Sequence, residues 1–486
     1  MEKAYMASRP LSNLWRVKPI DRIMQQSDEQ QHGLKRTLTA FSITLLGIGA
    51  IVGTGIFVLT GVAAAKYAGP GLILSFIVAG IASGLAAICY AEFASTVPIA
   101  GSAYTYSYAT LGEMVAWIIG WDLILEYAVG AAAVSIGWSG YIVDLLKSAL
   151  GITIPKALTV SPFSGGIINL PAFLVILLIT ALLVLGTSES TRINNIIVGV
   201  KLVVIAFFLI IGFGHVNPAN WNPFLPFGAG GIFRGASIIF FAYIGFDQIS
   251  TSAEEARNPS KDLPLGIFLS LLVCTVLYIL VTAVLTGMVS YTKLDVASPV
   301  SHALILVGLN AAGSVISFGA VCGLTTVLIV LLYGQSRIFF SMARDGLLPK
   351  LFSHVHPRFH TPYASSLLIG AFVALIAGLT PIDVVAELTN IGTLAAFVLV
   401  SAAVLILRRT QPDLRRGYRV PFVPLIPILS VIASLVLIVS LPLVTILRFV
   451  VWLAVGMVVY LLYSRHHSNL VDETAVVVEE NLVVAS

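Results

Sequence analysis

Twelve apolar stretches run along this chain, each roughly long enough for a helix to cross about 30 Å of hydrocarbon. They fall near 38–65, 70–95, 114–141, 168–187, 194–213, 232–252, 263–290, 313–340, 363–379, 383–407, 422–443 and 445–463. An earlier start for the eighth, near Pro299 and His302, would make it one long tilted helix. Only 10% of the 486 residues are charged and 58% are hydrophobic, too few polar groups to cover a water-soluble protein of this size. Lipid is the expected solvent. The expected class is an all-α integral membrane fold, because a helix satisfies its own backbone polar groups there.

Twelve spans place both termini on one side. Twenty Lys and Arg fall on that side, seven of them in the first 36 residues, and only five on the other. This asymmetry points to cytoplasmic termini. The first 36 residues have no hydrophobic core, so no cleavable signal peptide is expected. The tail from Ser468 is acidic and Val-rich. The net charge of +4 belongs to this topology and is no sign of nucleic acid. Cys89, Cys274 and Cys322 lie in apolar segments and read as buried hydrophobes, not as disulfides or metal ligands.

The first span contains Gly47, Gly49, Gly53 and Gly55 within nine residues. Such a run weakens a helix. Unwound backbone inside a membrane must line protein or a water-filled cavity, and its free N–H groups would suit an anionic group. Close packing between helices is the other reading. The sixth span holds a second weak point at Phe240-Phe241-Ala242-Tyr243-Ile244-Gly245-Phe246-Asp247. Breaks five helices apart fit inverted repeats made of helices 1–5 and 6–10.

Of the charges inside spans, three acids and one base stand out. Lys201 lies seven residues into the fifth, where it must find a partner, snorkel or lose its proton. Asp122 and Glu126 are four residues apart on one face of the third, and Asp247 ends the sixth-span motif. They could line a polar pathway, take protons or attract a cationic substrate. Glu92 and Glu113 flank the loop between spans two and three and read as structural. Glu254, Glu255 and Arg257 read as a capping segment after span six. His354, His356 and His360 read as a solvated loop. No phosphate-binding loop, nucleophilic triad or paired zinc motif is present. An enzyme, an ATP-driven pump, a cofactor and a metal are therefore not expected.

Together these motifs resemble the amino acid–polyamine–organocation superfamily, and most closely the bacterial branch of its cationic amino acid transporter family. The likeness covers nearly all of residues 35–465. It rests on Gly49–Phe57, Pro98–Tyr104, Gly120–Tyr127, Phe240–Asp247, Glu254–Pro259, Tyr333–Arg337 and Met342–Gly346. The resemblance implies a leucine-transporter-like five-plus-five inverted repeat with two additional transmembrane helices. The segments would be a cytoplasmic 1–36, repeats 37–213 and 214–407, two added helices in 408–465, and a cytoplasmic tail 466–486.

The resemblance also implies a site. Val52, Gly53, Thr54, Gly55 and Ile56 would hold a substrate carboxylate. Phe240, Ala242 and Tyr243 would hold its α-ammonium, with Ile48, Ile51, Ile244 and Phe246 as pocket or gate. Lys201 matches a fifth-span lysine of proton-coupled relatives. The implied activity is symport of an L-amino acid with protons by alternating access in the bacterial inner (plasma) membrane. Arginine, lysine, ornithine and alanine are all candidate substrates. Exchange, sensing, or work as a subunit beside a small single-pass membrane protein are the alternatives.

Overall fold

The computed structural model describes residues 38–96, 102–186, 191–247, 249, 256–359, 361–413 and 416–469. The basic segment 1–36, the tail beyond 469, Pro98 to Gly101, Glu254, Glu255, His360 and Arg415 lie outside the described residues, as does the side chain of Arg192.

The described regular structure is helical. The exception is one backbone bridge between Leu38 and Ala256, where Arg257 N–H donates to the Leu38 carbonyl at 2.9 Å. In chain order the helices are α1 (Ala40–Ile51), α2 (residues 55–68), α3 (Leu72–Thr96), α4 (Ser102–Thr110), α5 (Glu113–Leu150) and α6 (Leu170–Leu185). They continue as α7 (Thr191–Phe213), α8 (Gly228–Ile239), α9 (Pro259–Met288), α10 (Pro299–Leu306) and α11 (Asn310–Arg344). The last are α12 (Tyr363–Leu379), α13 (Ile382–Thr410), α14 (Leu425–Val439) and α15 (Leu443–Val459). Among the described residues, seven helical stretches are long and apolar enough to cross a membrane, and four shorter apolar helices accompany them. This is an all-α, multi-spanning membrane fold.

Local chemistry sets the helix ends. Thr39 caps α1, its Oγ1 accepting from Ser42 N–H at 3.4 Å. Asn169 caps α6 through Ala172 N–H at 3.3 Å, and Pro171 follows in the first turn, where a missing N–H does no harm. The eighth span does not start early. Pro299–Leu306 is a separate helix, and Gly308, at φ +88°, turns the chain before α11. The third span is longer than expected. Its 38 residues extend about 57 Å at 1.5 Å per residue, so α5 is tilted or projects from the bilayer.

Three helices organise the interior. The long α11 packs along α5, α13 lies against α5, and α9 lies against α1 and α3. Outside them, α14 presents Val439 and α15 presents Leu443 and Val451 outward, as a lipid-facing surface would.

Candidate functional site: two interrupted helices around a cavity

The last regular hydrogen bond of the first half of span one runs from Val52 N–H to the Ile48 carbonyl at 2.9 Å. Val52 is then extended, and the helix resumes in a widened, π-type turn at Gly55–Leu59. Span six does the same. α8 tightens into a 3-10 turn at Phe240–Tyr243, Ile244 is extended, and Gly245 takes φ +116°, a conformation suited to glycine. Asp247 Oδ1 accepts from Gly245 N–H at 3.2 Å. The two interruptions touch. A Cβ on Gly55 would sit 2.2 Å from Ala242 Cα, so only glycine permits this approach. Each interruption leaves helix-end N–H and carbonyl groups, and with them partial charges of both signs.

A small cavity opens beside them. Ile51, Gly53, Thr54 and Gly55 face it from span one, and Phe241, Ile244 and Gly245 from span six. Val134 on α5 and Val327, Val330 and Leu331 on α11 form an apolar wall. Glu126 and Thr389 are the polar side chains that α5 and α13 contribute. Thr54 Oγ1 is buried without a protein partner.

Of the residues singled out by sequence, Ile51, Gly53, Thr54, Gly55, Ile244 and Glu126 line this cavity. Ile48, Val52, Ile56, Phe240, Ala242, Tyr243 and Phe246 are buried around it without lining it. The Ala242 carbonyl accepts from Tyr278 Oη–H at 2.7 Å, and Tyr243 donates its own hydroxyl to Phe76 at 2.8 Å. Tyr278 also reaches the Ile51 carbonyl at 3.0 Å, so one hydroxyl on α9 holds both interrupted helices.

Lys201, on α7, is 1% exposed. Its Nζ donates to the Gly49 carbonyl at 2.7 Å, four residues before Gly53. The aliphatic stem lies against Gly323 of α11, where a Cβ would stand 3.0 Å from Lys201 Cγ. One side chain thus spans the first, fifth and eighth spans. Asp122 is equally buried, and neither carboxylate oxygen has a protein partner. Asn390 of α13 donates to the Ser237 and Ile238 carbonyls, both at 2.8 Å, and fixes the end of α8.

Two other buried acids have protein partners. Glu92 accepts from Arg408 at 3.0 and 2.7 Å and from Val420 N–H at 2.7 Å, and Arg416 Nε lies 3.0 Å away. Burial pulls the Arg416 guanidinium below its ordinary value, and Glu92 opposes that shift. Glu113 accepts from Tyr460 at 3.1 Å and from Ser468 at 2.5 Å. His356 Nδ1 is taken by Arg358 N–H at 3.1 Å, and no cluster of three metal-binding side chains occurs among the described residues.

The profile of the family described as "Amino acid permease" matches residues 38–463. The chain belongs to the amino acid permease family. This permease is a transporter that carries amino acids across a membrane, and not an enzyme. Two Bacillus subtilis relatives are each 53% identical. The "Methylthioribose transporter" aligns over 95% of this chain and 100% of its own length. The "Branched-chain amino acid permease BcaP" aligns over 94% and 99%. An Arabidopsis thaliana "Cationic amino acid transporter 2, vacuolar" is 40% identical over 82% of this chain and 64% of its own. The permease is thus a bacterial multi-pass membrane protein. The two Bacillus relatives match at higher identity than the Arabidopsis protein, and their names do not carry the cationic preference that the sequence motifs suggested.

Tyr278, Gly323, Val330, Thr389 and Asn390 are among the site's unforeseen members. A hydroxyl or amide in an apolar span was the available signal for three of them. Nothing local marks Gly323 or Val330.

Proposed function

We propose that this permease is a proton-coupled symporter of neutral L-amino acids with small or branched aliphatic side chains. The observation that carries the reading is the cavity shared by two touching helix interruptions. The N–H groups of Gly53, Thr54 and Gly55, where the helix resumes, suit a carboxylate, and the carbonyl end of Phe240–Tyr243 suits an ammonium. The valine and leucine wall suits an aliphatic side chain. The name of the Bacillus branched-chain permease accords with that wall. Interruptions five spans apart support a five-plus-five inverted repeat, with α14 and α15 added. The excess of Lys and Arg supports cytoplasmic termini in the plasma membrane.

Lys201 couples the proton in this reading. Its ammonium makes a charge-assisted bond to Gly49, in the last turn before the substrate site. Giving up the proton weakens that tie and frees the inner half of span one to move. A second reading, uptake of arginine, lysine or ornithine, is favoured by one observation, the Glu126 carboxyl facing the cavity.

Counterflow in liposomes tests the choice of substrate. Unlabelled leucine, valine, isoleucine and alanine should each compete with radiolabelled L-leucine at least tenfold better than L-arginine. Equal or better competition by arginine would favour the cationic reading. Stronger competition by methylthioribose than by any amino acid would overturn both.

A further inference from the structure

Asp122 sits on α5 one helical turn from Glu126, about 6 Å further toward the Glu113 end. With cytoplasmic termini, that is the cytoplasmic side of Glu126, which lines the cavity. The carboxyl is 1% exposed and, among the described residues, neither oxygen meets a donor. The backbone of α13 closes over it at Gly392, where a Cβ would lie 2.8 Å from Asp122 Oδ1 and 3.8 Å from Glu126 Cβ. The titratable groups facing this acidic patch are Glu126 and Tyr127 on α5, Asp247 after the span-six interruption, and Tyr90 on α3. All are acids or phenols. Among the described residues no Lys or Arg pairs with Asp122. An ionised carboxylate placed so would be strongly destabilised. Glu92, as deeply buried, gathers two guanidinium groups and a backbone N–H.

We propose that Asp122 is a second proton-binding residue of this transporter, distinct from Lys201, loaded as the neutral acid while α13 covers it. This extends the symport reading and rests on its orientation. The proton arrives on a carboxylate oxygen from outside water. It leaves to cytoplasmic water when α13 withdraws at Gly392, and the hydrated carboxylate remains. Glu126 keeps its place in the substrate cavity, beside Thr393. Each transport cycle then carries one proton more than Lys201 alone would.

Two measurements on the reconstituted full chain test this. Infrared difference spectra at neutral pH should show a protonated-carboxyl C=O stretch in the wild type that Asp122→Asn lacks. The proton-to-substrate ratio, read from the reversal potential, should fall by one in that variant. An unchanged carboxyl band, or an unchanged ratio in a transporting variant, overturns the proposal. If Asp122→Asn does not fold, Gly392→Ala crowds the same oxygen and should move the band; an unmoved band overturns the proposal as well. The control is Lys201→Ala. Failure of that variant to alter the ratio counts against the symport reading, whereas the infrared band bears on Asp122 alone.

Discussion

Glu92 and Asp122 are both acids, both 1% exposed, and both on helices that cross the membrane interior. Their surroundings are opposite. Glu92 locks the end of α3 to the loop between α13 and α14, with Arg408, Arg416 and the Val420 N–H closing on two oxygens. Asp122 has no donor among the described residues. Lys201 lies between these extremes, with one carbonyl and no carboxylate partner. The contrast separates two uses of buried charge. A fully compensated ion holds elements in one arrangement. An uncompensated one is stable only while its proton count matches its surroundings, which makes it responsive to the state of the transporter.

Removing the compensated acid should have the largest effect on stability. Glu92→Ala leaves Arg408 and Arg416 without their carboxylate and should destabilise the fold by about 3–5 kcal/mol. Thermal melts in detergent would show this as a much lower midpoint or as loss of folded protein. A wild-type melt would break the comparison. Tyr278→Phe should come next. It removes the hydroxyl shared by Ile51 and Ala242 and should lower stability by about 1–2 kcal/mol. Counterflow should then need several-fold more substrate for half-saturation, because both interruptions lose a common anchor.

A smaller effect is expected at Lys66, whose Nζ lies 2.8 Å from Asp383 and 3.3 Å from Asp295. That pair is about one-third exposed, so Lys66→Met should shift stability by no more than about 1 kcal/mol, less at high salt. The smallest stability effect belongs to Asp122→Asn. An amide replacing a neutral acid of the same shape should leave the melting midpoint near the wild type. A loss as large as that of Glu92→Ala would mean that Asp122 is a structural ion, and would erase the distinction.

The sequence made some of this legible and hid the rest for physical reasons. The interruption of span one could be read because Gly47, Gly49, Gly53 and Gly55 weaken a helix wherever it packs. The depth of Lys201 and Asp122 in apolar runs marked both as charges in need of a role. Their partners did not. Gly49 and Gly323 meet Lys201 across three helices, and Gly392 meets Asp122 from more than 250 residues away. Such contacts depend on helix rotation and register, which apolar periodicity leaves undetermined when a helix is hydrophobic on all sides. Glu92 was correctly read as structural from its place beside a loop, yet nothing local named Arg408 and Arg416. The separate α10 was missed because an apolar run continues through it, while the turn depends on Gly308.

The most direct test of the account is uptake of radiolabelled L-leucine into liposomes containing only this protein. Wild type and Lys201→Ala would be compared with and without an inward proton gradient, with counterflow as the control. Alanine and arginine would be run in parallel. The account predicts that the gradient raises wild-type uptake severalfold, and that Lys201→Ala loses at least tenfold of gradient-driven uptake while counterflow persists. Equal gradient-driven uptake in the two proteins, with the same pH dependence, would contradict it.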